Sequence, residues 1–250
     1  MWYNYLNISK LIIILLAGSD DKSRYTNFGP YGDTGFDIIE YNNLKALSDA
    51  IESDPNYCAI LMEPIQGENG VIIPSEDYLK GVREICNKHN VLMIIDEIQT
   101  GFGRAGTLLR TDIYSIKPDM VLLGKSLSGG LYPISAVLAD KEVMDVINPG
   151  DHGSTYGGNP LAMSIVNAAL DEITKNSFAI LKNCQRRGDE LGLYLLHKTR
   201  KNKLIKEIRA RGLMCGLELS EGCPLNSSEI SIMLMERGLL CKPSGKSVLR

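Results

Sequence analysis

The 250-residue sequence lacks the features that mark several classes of protein. Its six cysteines form no C-x-x-C pair, and their apolar surroundings predict reduced thiols, mostly in the core of an intracellular protein. The net charge of −3 includes no long basic or acidic block, so we expect no nucleic-acid partner. The N-terminal apolar run at 11–17 is too short to span a bilayer, so we also expect no membrane partner.

The two ends of the sequence are unusual. Residues 1–17 resemble a poor signal peptide and lack the Arg-rich amphipathic pattern of a mitochondrial transit segment. We predict that these residues form a buried strand or an atypical segment outside the fold. For the protein we predict a cytoplasmic rather than mitochondrial location. The last residues, 247–250, form a strand-like run, and a domain that stops in a strand has not completed its core. We therefore expect the sequence to be a truncated one.

The first two thirds of the chain alternate between helical and strand patterns. Helices are expected at 42–52 and after Ser75, which resembles a helix cap. Continuous Val/Ile/Leu runs between helices predict strands buried on both faces, and hence an α/β fold with a mainly parallel sheet. These runs lie at 57–62, 91–95, 119–123 and 134–138.

The pattern changes after Pro160. Two long helices are predicted at 161–174 and 180–200, followed by a strand, a helix closed by Gly238, and further strands starting at 239–241 and 247–250. The predicted organisation is an atypical segment, part of a large domain, linker helices and part of a small α+β domain, at 1–17, 18–165, 166–200 and 201–250.

Two charged residues stand at the ends of buried strands. Lys125 follows the run that ends at Leu123 and precedes a glycine-rich loop, and Asp96 follows the run 91–95. Open α/β sheets bind ligands at the carboxyl ends of their strands. An amine and a carboxylate there are the groups that bind the aldehyde and the ring nitrogen of pyridoxal phosphate. The ordinary alternative for Lys125 is a solvated lysine.

Three other motifs point to different chemistry but are incomplete. The stretch 101–106 matches G-x-G-x-x-G, but a polar insert separates it from its strand and no helix clearly follows. Two Gly-Lys-Ser triplets lack the earlier glycine of a P-loop, since Asp119 and Leu240 stand in its place. His152 has no second ligand at metal spacing, so we predict a loop histidine and no metal site.

Six motifs together resemble one known family. The chain resembles the ornithine aminotransferases, within the fold-type I, class III aminotransferases that use pyridoxal phosphate, over residues 18–250. The motifs are NFGPYGDTGFDIIEYNNL (27–44), MEPIQGENGVIIPS (62–75), IIDEIQTGFGRAGTLL (94–109), PDMVLLGKSLSGGLYPISAV (118–137), HGSTYGGNPLA (152–162) and GLLCKPSGKSVLR (238–250).

The resemblance implies a role for each cofactor-binding residue. Lys125 would form the internal aldimine and move the proton, and Asp96 would pair with the protonated ring nitrogen. Gln99 would bond the ring's phenolic oxygen. Thr155, preceded by Ser154, would reach the phosphate bound by a neighbouring subunit, which implies a homodimer.

The resemblance also implies a pair that selects substrates. Glu68 would mask Arg250 while ornithine reacts through its δ-amine, then release it to bind a carboxylate of 2-oxoglutarate. The ordinary alternatives are a solvated loop acid for Glu68, a frayed terminal residue for Arg250, and Glu63 as a structural acid at the strand end. The implied reaction is a ping-pong transamination, which belongs to proline biosynthesis and arginine metabolism.

The sequence departs from the family in what it does not contain. Family members are longer, and the Gly-rich phosphate loop, the aromatic that stacks on the cofactor and the end of the small domain have no counterpart here. Two alternatives therefore stay open. One is an aminotransferase for acetylornithine or another ω-amino acid, and the other is a non-catalytic fragment of the family.

Overall fold

The structure is a computed structural model, and it describes the backbone of residues 12–15 and the whole of residues 35–250. The first half of the chain forms a six-stranded sheet, here called the large sheet, in the order β2-β1-β3-β4-β5-β6. Its strands are β1 (Ile12–Leu15), β2 (Phe36–Ile38), β3 (Tyr57–Met62), β4 (Leu92–Asp96), β5 (Met120–Leu123) and β6 (Ala136–Ala139). The predicted α/β fold with a mainly parallel sheet is confirmed.

The first five strands of the large sheet run parallel, and β6 pairs antiparallel with β5 at the edge. The strand predicted at 134–138 corresponds to β6, which starts two residues later and ends one residue later than predicted. The prediction that it is buried on both faces is wrong, because Val137 and Leu138 are about half exposed. An edge strand has a neighbour on one side only, so apolar composition does not ensure burial. The predicted N-terminal strand falls on β1, whose side chains lie outside the described part of the structure.

Helices α1 (Leu44–Ser53) and α2 (Tyr78–His89) cover the parallel strands. Their apolar faces bury Leu47 and Leu79 completely against the sheet, as the periodicity predicts. The predicted cap of α2 is wrong. Ser75 bonds instead to the Asn42 side chain, with its N–H and its hydroxyl each 3.0 Å from Oδ1, and α2 begins three residues later.

The second half of the chain starts with the short helix α3 (Lys141–Met144) and the long helix α4 (Pro160–Thr199). Non-helical backbone at 175–178 interrupts α4, which agrees with two predicted helices. The small sheet has the order β7-β8-β10-β9 and is antiparallel. Its elements are β7 (Ile205–Arg211), β8 (Met214–Leu219), α5 (Ser227–Met235), β9 (Pro243–Ser244) and β10 (Val248–Leu249).

Two further details differ from the sequence prediction. The strand expected at 239–241 begins later, at Pro243, because Leu239 still bonds back to α5 through a 2.9 Å contact with the Leu234 carbonyl. All six cysteines are free, but only Cys86 is buried, so the prediction that most are core thiols is wrong. Burial raises the pKa of Cys86 to about 12.

Within the described residues, no helix is both long and apolar enough to cross a membrane.

A buried arginine links the small sheet to a loop of the large one. Residues 66–72 form a short hairpin, closed by two backbone bonds between Gln66 and Ile72 of 3.0 and 2.9 Å. Arg209 of β7, 9% exposed, donates to the carbonyls of Gly70 and Val71 at 2.9–3.2 Å. The 66–72 hairpin is therefore fixed against the small sheet.

Candidate functional site

The carboxyl ends of three neighbouring parallel strands bring charged groups to one edge of the large sheet. Glu63 directly follows β3, Asp96 ends β4, and Lys125 lies two residues beyond β5. The register pairs Asp96 with Leu122, so Lys125 comes three residues after the residue opposite the aspartate. The predicted pair of strand-end groups therefore lies on one edge, together with a third group, Glu63.

Glu63 is mostly buried beside this pair. Burial raises the pKa of its carboxyl group, and the charge of Asp96 raises it further, while a hydrogen bond from the Gly67 N–H (3.0 Å) and the charge of Lys125 lower it. These opposing effects show that the three charged groups interact. They also agree with a structural role for Glu63, since its carboxylate holds the start of the 66–72 hairpin.

Lys125 has an unusual backbone and an open side chain. Its φ of 42° lies in the left-handed region, which is uncommon for a residue other than glycine, and it starts a short 3-10 turn, Lys125–Ser128. Such strain occurs most often at functional sites. Its side chain is exposed and lines a cleft of about 590 Å³, which Tyr132, Ser135 and residues 156–159 also line.

Ser154 and Thr155 lie next to this cleft, in an exposed loop. The Ser154 hydroxyl accepts a hydrogen bond from the Gly157 N–H at 2.8 Å, which makes a tight turn before α4. Asn159 caps α4 by accepting from the Ala162 N–H at 2.9 Å. The expected contact of Thr155 with a phosphate bound by a second subunit stays a prediction, because a single chain does not test it.

A second group of charged residues forms where the 66–72 hairpin meets the small sheet. Arg250 forms an ion pair with Oε1 of Glu68, 182 positions earlier in the chain. Arg250 also donates to Oε1 of Gln99 at 2.9 Å, and the Gln99 amide lies 3.4 Å from Glu68 Oε1. Arg250 is 16% exposed and Glu68 28% exposed at the side chain. The structure thus brings together the predicted specificity pair, with Gln99 as a third member.

Lys242 is a member of this group that the sequence reasoning did not single out. Its ammonium lies 2.7 Å from Oε2 of Glu68, so the two oxygens of one carboxylate meet two different cations. Ser244 donates its hydroxyl to the main-chain oxygen of Glu68. A Pro-Ser-Gly turn after Lys242 indicates a hairpin, and this was the available signal that Lys242 and Arg250 lie opposite each other.

Glu97 was also missed as a key structural residue. It is 1% exposed and follows Asp96, so the two neighbours point in opposite directions. Its carboxylate accepts from the Thr111 N–H at 2.8 Å and from the hydroxyls of Thr100 and Thr111. Burial raises its pKa, and these bonds oppose the change. Glu97 thereby fixes the loop after β4 that carries Asp96 and Gln99.

The residues at the sheet edge fit the predicted cofactor. Pyridoxal phosphate needs an accessible amine for its aldehyde and a carboxylate for its ring nitrogen, and Lys125 and Asp96 supply these. The Asp96 carboxylate is held by the Ile98 N–H, 2.9 Å from Oδ1. The cleft beside Lys125 is within the roughly 300–1,000 Å³ range of small-molecule sites.

Known proteins resemble this chain over nearly its whole length. The ornithine aminotransferase of Plasmodium yoelii yoelii is 43% identical over 244 residues, which is 98% of this chain and 58% of the relative. The mitochondrial ornithine aminotransferase of Drosophila melanogaster is 44% identical over 94% of this chain and 53% of its own length. The crystal structure of the ornithine aminotransferase from Toxoplasma gondii superposes with a TM-score of 0.91, at 39% identity, over 98% of this chain and 60% of that one.

These matches decide the family. The chain spans somewhat more than half the length of the relatives it matches. The class III aminotransferase family matches residues 23–250 as a unit, and the fold is that of the fold-type I enzymes. The chain belongs to the class III family of pyridoxal-phosphate-dependent aminotransferases, as its motifs predict.

Proposed function

We propose that this chain is part of an ornithine δ-aminotransferase, which converts ornithine and 2-oxoglutarate to glutamate semialdehyde and glutamate in two half-reactions. The observation that carries the proposal is the ion pair between Glu68 and Arg250 beside the Lys125 edge. Relatives named ornithine aminotransferase, at 43–44% identity, support the same substrate.

The residues at the sheet edge would perform the chemistry common to both half-reactions. Bound pyridoxal phosphate supplies an aldehyde that captures an amine and a ring that accepts electrons from the adjacent carbon. Asp96 holds a proton on the ring nitrogen by pairing with it, which keeps the ring cationic. With the cofactor bound, the Lys125 Nζ would take a proton from the substrate carbon as a general base and deliver it, as a general acid, to the cofactor carbon on the other side of the bridging nitrogen.

Glu68 and Arg250 would decide which carboxylate enters the site. While Glu68 binds Arg250, the guanidinium is not open to a substrate carboxylate, so ornithine is oriented to react at its δ-amine. After Glu68 moves away, the planar guanidinium binds a carboxylate of 2-oxoglutarate with two parallel hydrogen bonds. Gln99, which already accepts from Arg250, keeps the guanidinium in place during the exchange.

The remaining features of the proposed protein rest on the family resemblance. A homodimer would bring Thr155 and Ser154 of one subunit to the phosphate bound by the other. The domain limits at 165 and 200, and an intracellular location that is cytoplasmic rather than mitochondrial, are further parts of this proposal.

The role of Lys125 is tested by Lys125→Ala, with Lys117→Ala as the control. Lys117 is an exposed lysine that precedes β5 in the sequence, and it pairs with Asp140 at 2.7 Å. We expect Lys125→Ala to lose the absorbance band of lysine-bound cofactor, and transamination to fall by up to about ten-thousandfold. Lys117→Ala should keep both. If Lys125→Ala keeps the band and the turnover, the assignment is wrong.

The substrate is tested by the rates with ornithine, N-acetylornithine and 4-aminobutyrate measured side by side. The proposal requires ornithine to be preferred, and Glu68→Ala to reduce that preference because Arg250 is then open to α-carboxylates. A higher rate with N-acetylornithine or 4-aminobutyrate would assign another member of the family. A chain that binds no pyridoxal phosphate would instead favour the non-catalytic alternative.

A further inference from the structure

Glu68 has two cations, and only one of them takes part in the proposed exchange. Arg250 contacts Oε1 of Glu68, and Lys242 contacts Oε2 at 2.7 Å. The proposed function uses the Arg250 contact and leaves the Lys242 contact unexplained. Lys242 is 57% exposed at the side chain, so burial alone does not force it onto Glu68.

The backbone places the two cations side by side. Lys242 and Arg250 are opposite each other in an antiparallel pair, and each donates its N–H to the other's carbonyl at 2.9 Å. Opposed residues of such a pair project from the same face of the sheet. Their charged groups therefore reach the same carboxylate from one rigid hairpin.

The backbone around Glu68 is held in place by the small sheet. The Ser244 hydroxyl holds the main-chain oxygen of Glu68, and Arg209 holds the carbonyl of Gly70 two residues later. A carboxylate that leaves Arg250 must then do so by rotation of its own side chain. If the Glu68 side chain rotates while its Oε2 stays on Lys242, the contact with Arg250 breaks and the contact with Lys242 is kept.

When a substrate carboxylate is bound, the charges balance only if Lys242 is present. With Glu68 on both cations, the three groups carry a net charge of +1. When a substrate carboxylate binds Arg250, that pair is neutral and the Glu68–Lys242 pair is neutral as well. Without Lys242, a Glu68 that releases Arg250 would contact neither of these cations. Its charge would then be unfavourable, because its side chain is largely removed from water.

We propose that Lys242 is a positioning residue that holds the Glu68 carboxylate after Glu68 releases Arg250, and so favours binding of the dicarboxylate substrate. This inference rests on the proposed function, because it assigns Lys242 a part in the same exchange. It predicts that Lys242 acts on the 2-oxoglutarate half-reaction more than on the ornithine half-reaction.

The test compares Lys242→Met, which keeps the length of the side chain and removes the charge, with Lys242→Arg. The measurements are the affinity for glutarate, an unreactive dicarboxylate, by calorimetry, and the KM values for 2-oxoglutarate and ornithine. In Lys242→Met we expect glutarate affinity to weaken and the KM for 2-oxoglutarate to rise by about fivefold, the scale of one partly exposed ion pair. The KM for ornithine should change less, and Lys242→Arg should restore both values. Lys117→Met serves as the control for loss of a surface ion pair.

The same measurements in the Glu68→Ala background decide how Lys242 acts. If Lys242 acts through Glu68, its removal in that background causes no further loss of glutarate affinity. An equal loss in both backgrounds means that Lys242 binds the dicarboxylate directly, and this overturns the inference. If Glu68→Ala alone leaves glutarate affinity and substrate preference unchanged, the proposed function itself fails, and the inference fails with it.

Discussion

The large sheet and the small sheet present their charged residues in different ways. In the large sheet, Asp96 and Lys125 come from the ends of successive parallel strands, about thirty residues apart, and meet because parallel strands end at one edge. In the small sheet, Lys242 and Arg250 lie opposite each other across an antiparallel pair. In the proposed function, the first arrangement would carry out the bond-making chemistry, and the second would select the substrate.

The difference between the two regions also lies in how firmly each is held. The parallel edge is backed by fully buried residues such as Met93 and Ile95 and by the bonds of Glu97. The group around Glu68 depends on contacts between the 66–72 hairpin and the small sheet. We therefore expect changes at the parallel edge to affect catalysis, and changes at the contact to affect stability and specificity.

After the loss of Lys125 itself, the largest effect is expected from Asp96→Asn at the parallel edge. An asparagine there cannot balance a cationic ring nitrogen, so we expect the transamination rate to fall about a hundredfold, as for loss of one strong electrostatic contact in an active site. Single-turnover kinetics with ornithine and with 2-oxoglutarate should show the loss in both half-reactions. The control is Asp140→Asn, an exposed acid after β6. A loss confined to one half-reaction would contradict the division between the two regions.

The next effect is expected from Arg209→Ala, which removes one of the links between the two regions. The carbonyls of Gly70 and Val71 would lose their buried donor, and we expect the free energy of unfolding to fall by about 2–3 kcal/mol. Arg211→Ala is a matched control on the same strand, since Arg211 is exposed and its one described bond is to the carbonyl of Ala210. Urea denaturation of both variants measures the difference. Equal losses would mean that the link is not specific to Arg209.

The smallest effect is expected from the ionisation of Glu97. Because burial raises its pKa, the folded state binds its proton more tightly than the unfolded state, and this contribution to stability is lost as the pH rises from about 4.5 through the folded pKa. Glu97→Gln should remove this dependence, so the stability of the unsubstituted chain relative to Glu97→Gln should fall as the pH rises. Denaturation curves from pH 4.5 to 7.5 test this. A difference that is constant with pH would show that the pKa of Glu97 is not raised.

The charged groups at the edge of the large sheet could be predicted from the sequence. The contact between the 66–72 hairpin and the small sheet could be predicted only in part. Strand-end positions in a parallel sheet follow from local apolar runs, so Asp96 and Lys125 could be placed on one edge by composition and spacing alone. The meeting of Glu68 with Arg250 depends on how two sheets pack, which no local pattern encodes. It was expected only from the resemblance to a family.

The errors in the predictions have the same physical origin. Ser75 is a residue type that often caps helices, but its hydroxyl donates instead to the side chain of Asn42, which is distant in sequence. The apolar residues of β6 resemble those of a central strand, but they lie at an edge. Lys242 could not be distinguished from other surface lysines, because its role depends on Glu68, 174 positions away.

The fixed backbone of the 66–72 hairpin bears on how fast Glu68 and Arg250 can separate. Arg209 and Ser244 tie this hairpin to the small sheet, so a movement of that sheet would carry Glu68, Lys242 and Arg250 together and would not separate them. The exchange of partners at Arg250 then needs only side-chain rotation, which takes picoseconds to nanoseconds, and not a domain movement of microseconds to milliseconds. Switching between the two substrates would thus be far faster than turnover, and its cost would appear in affinity and not in rate.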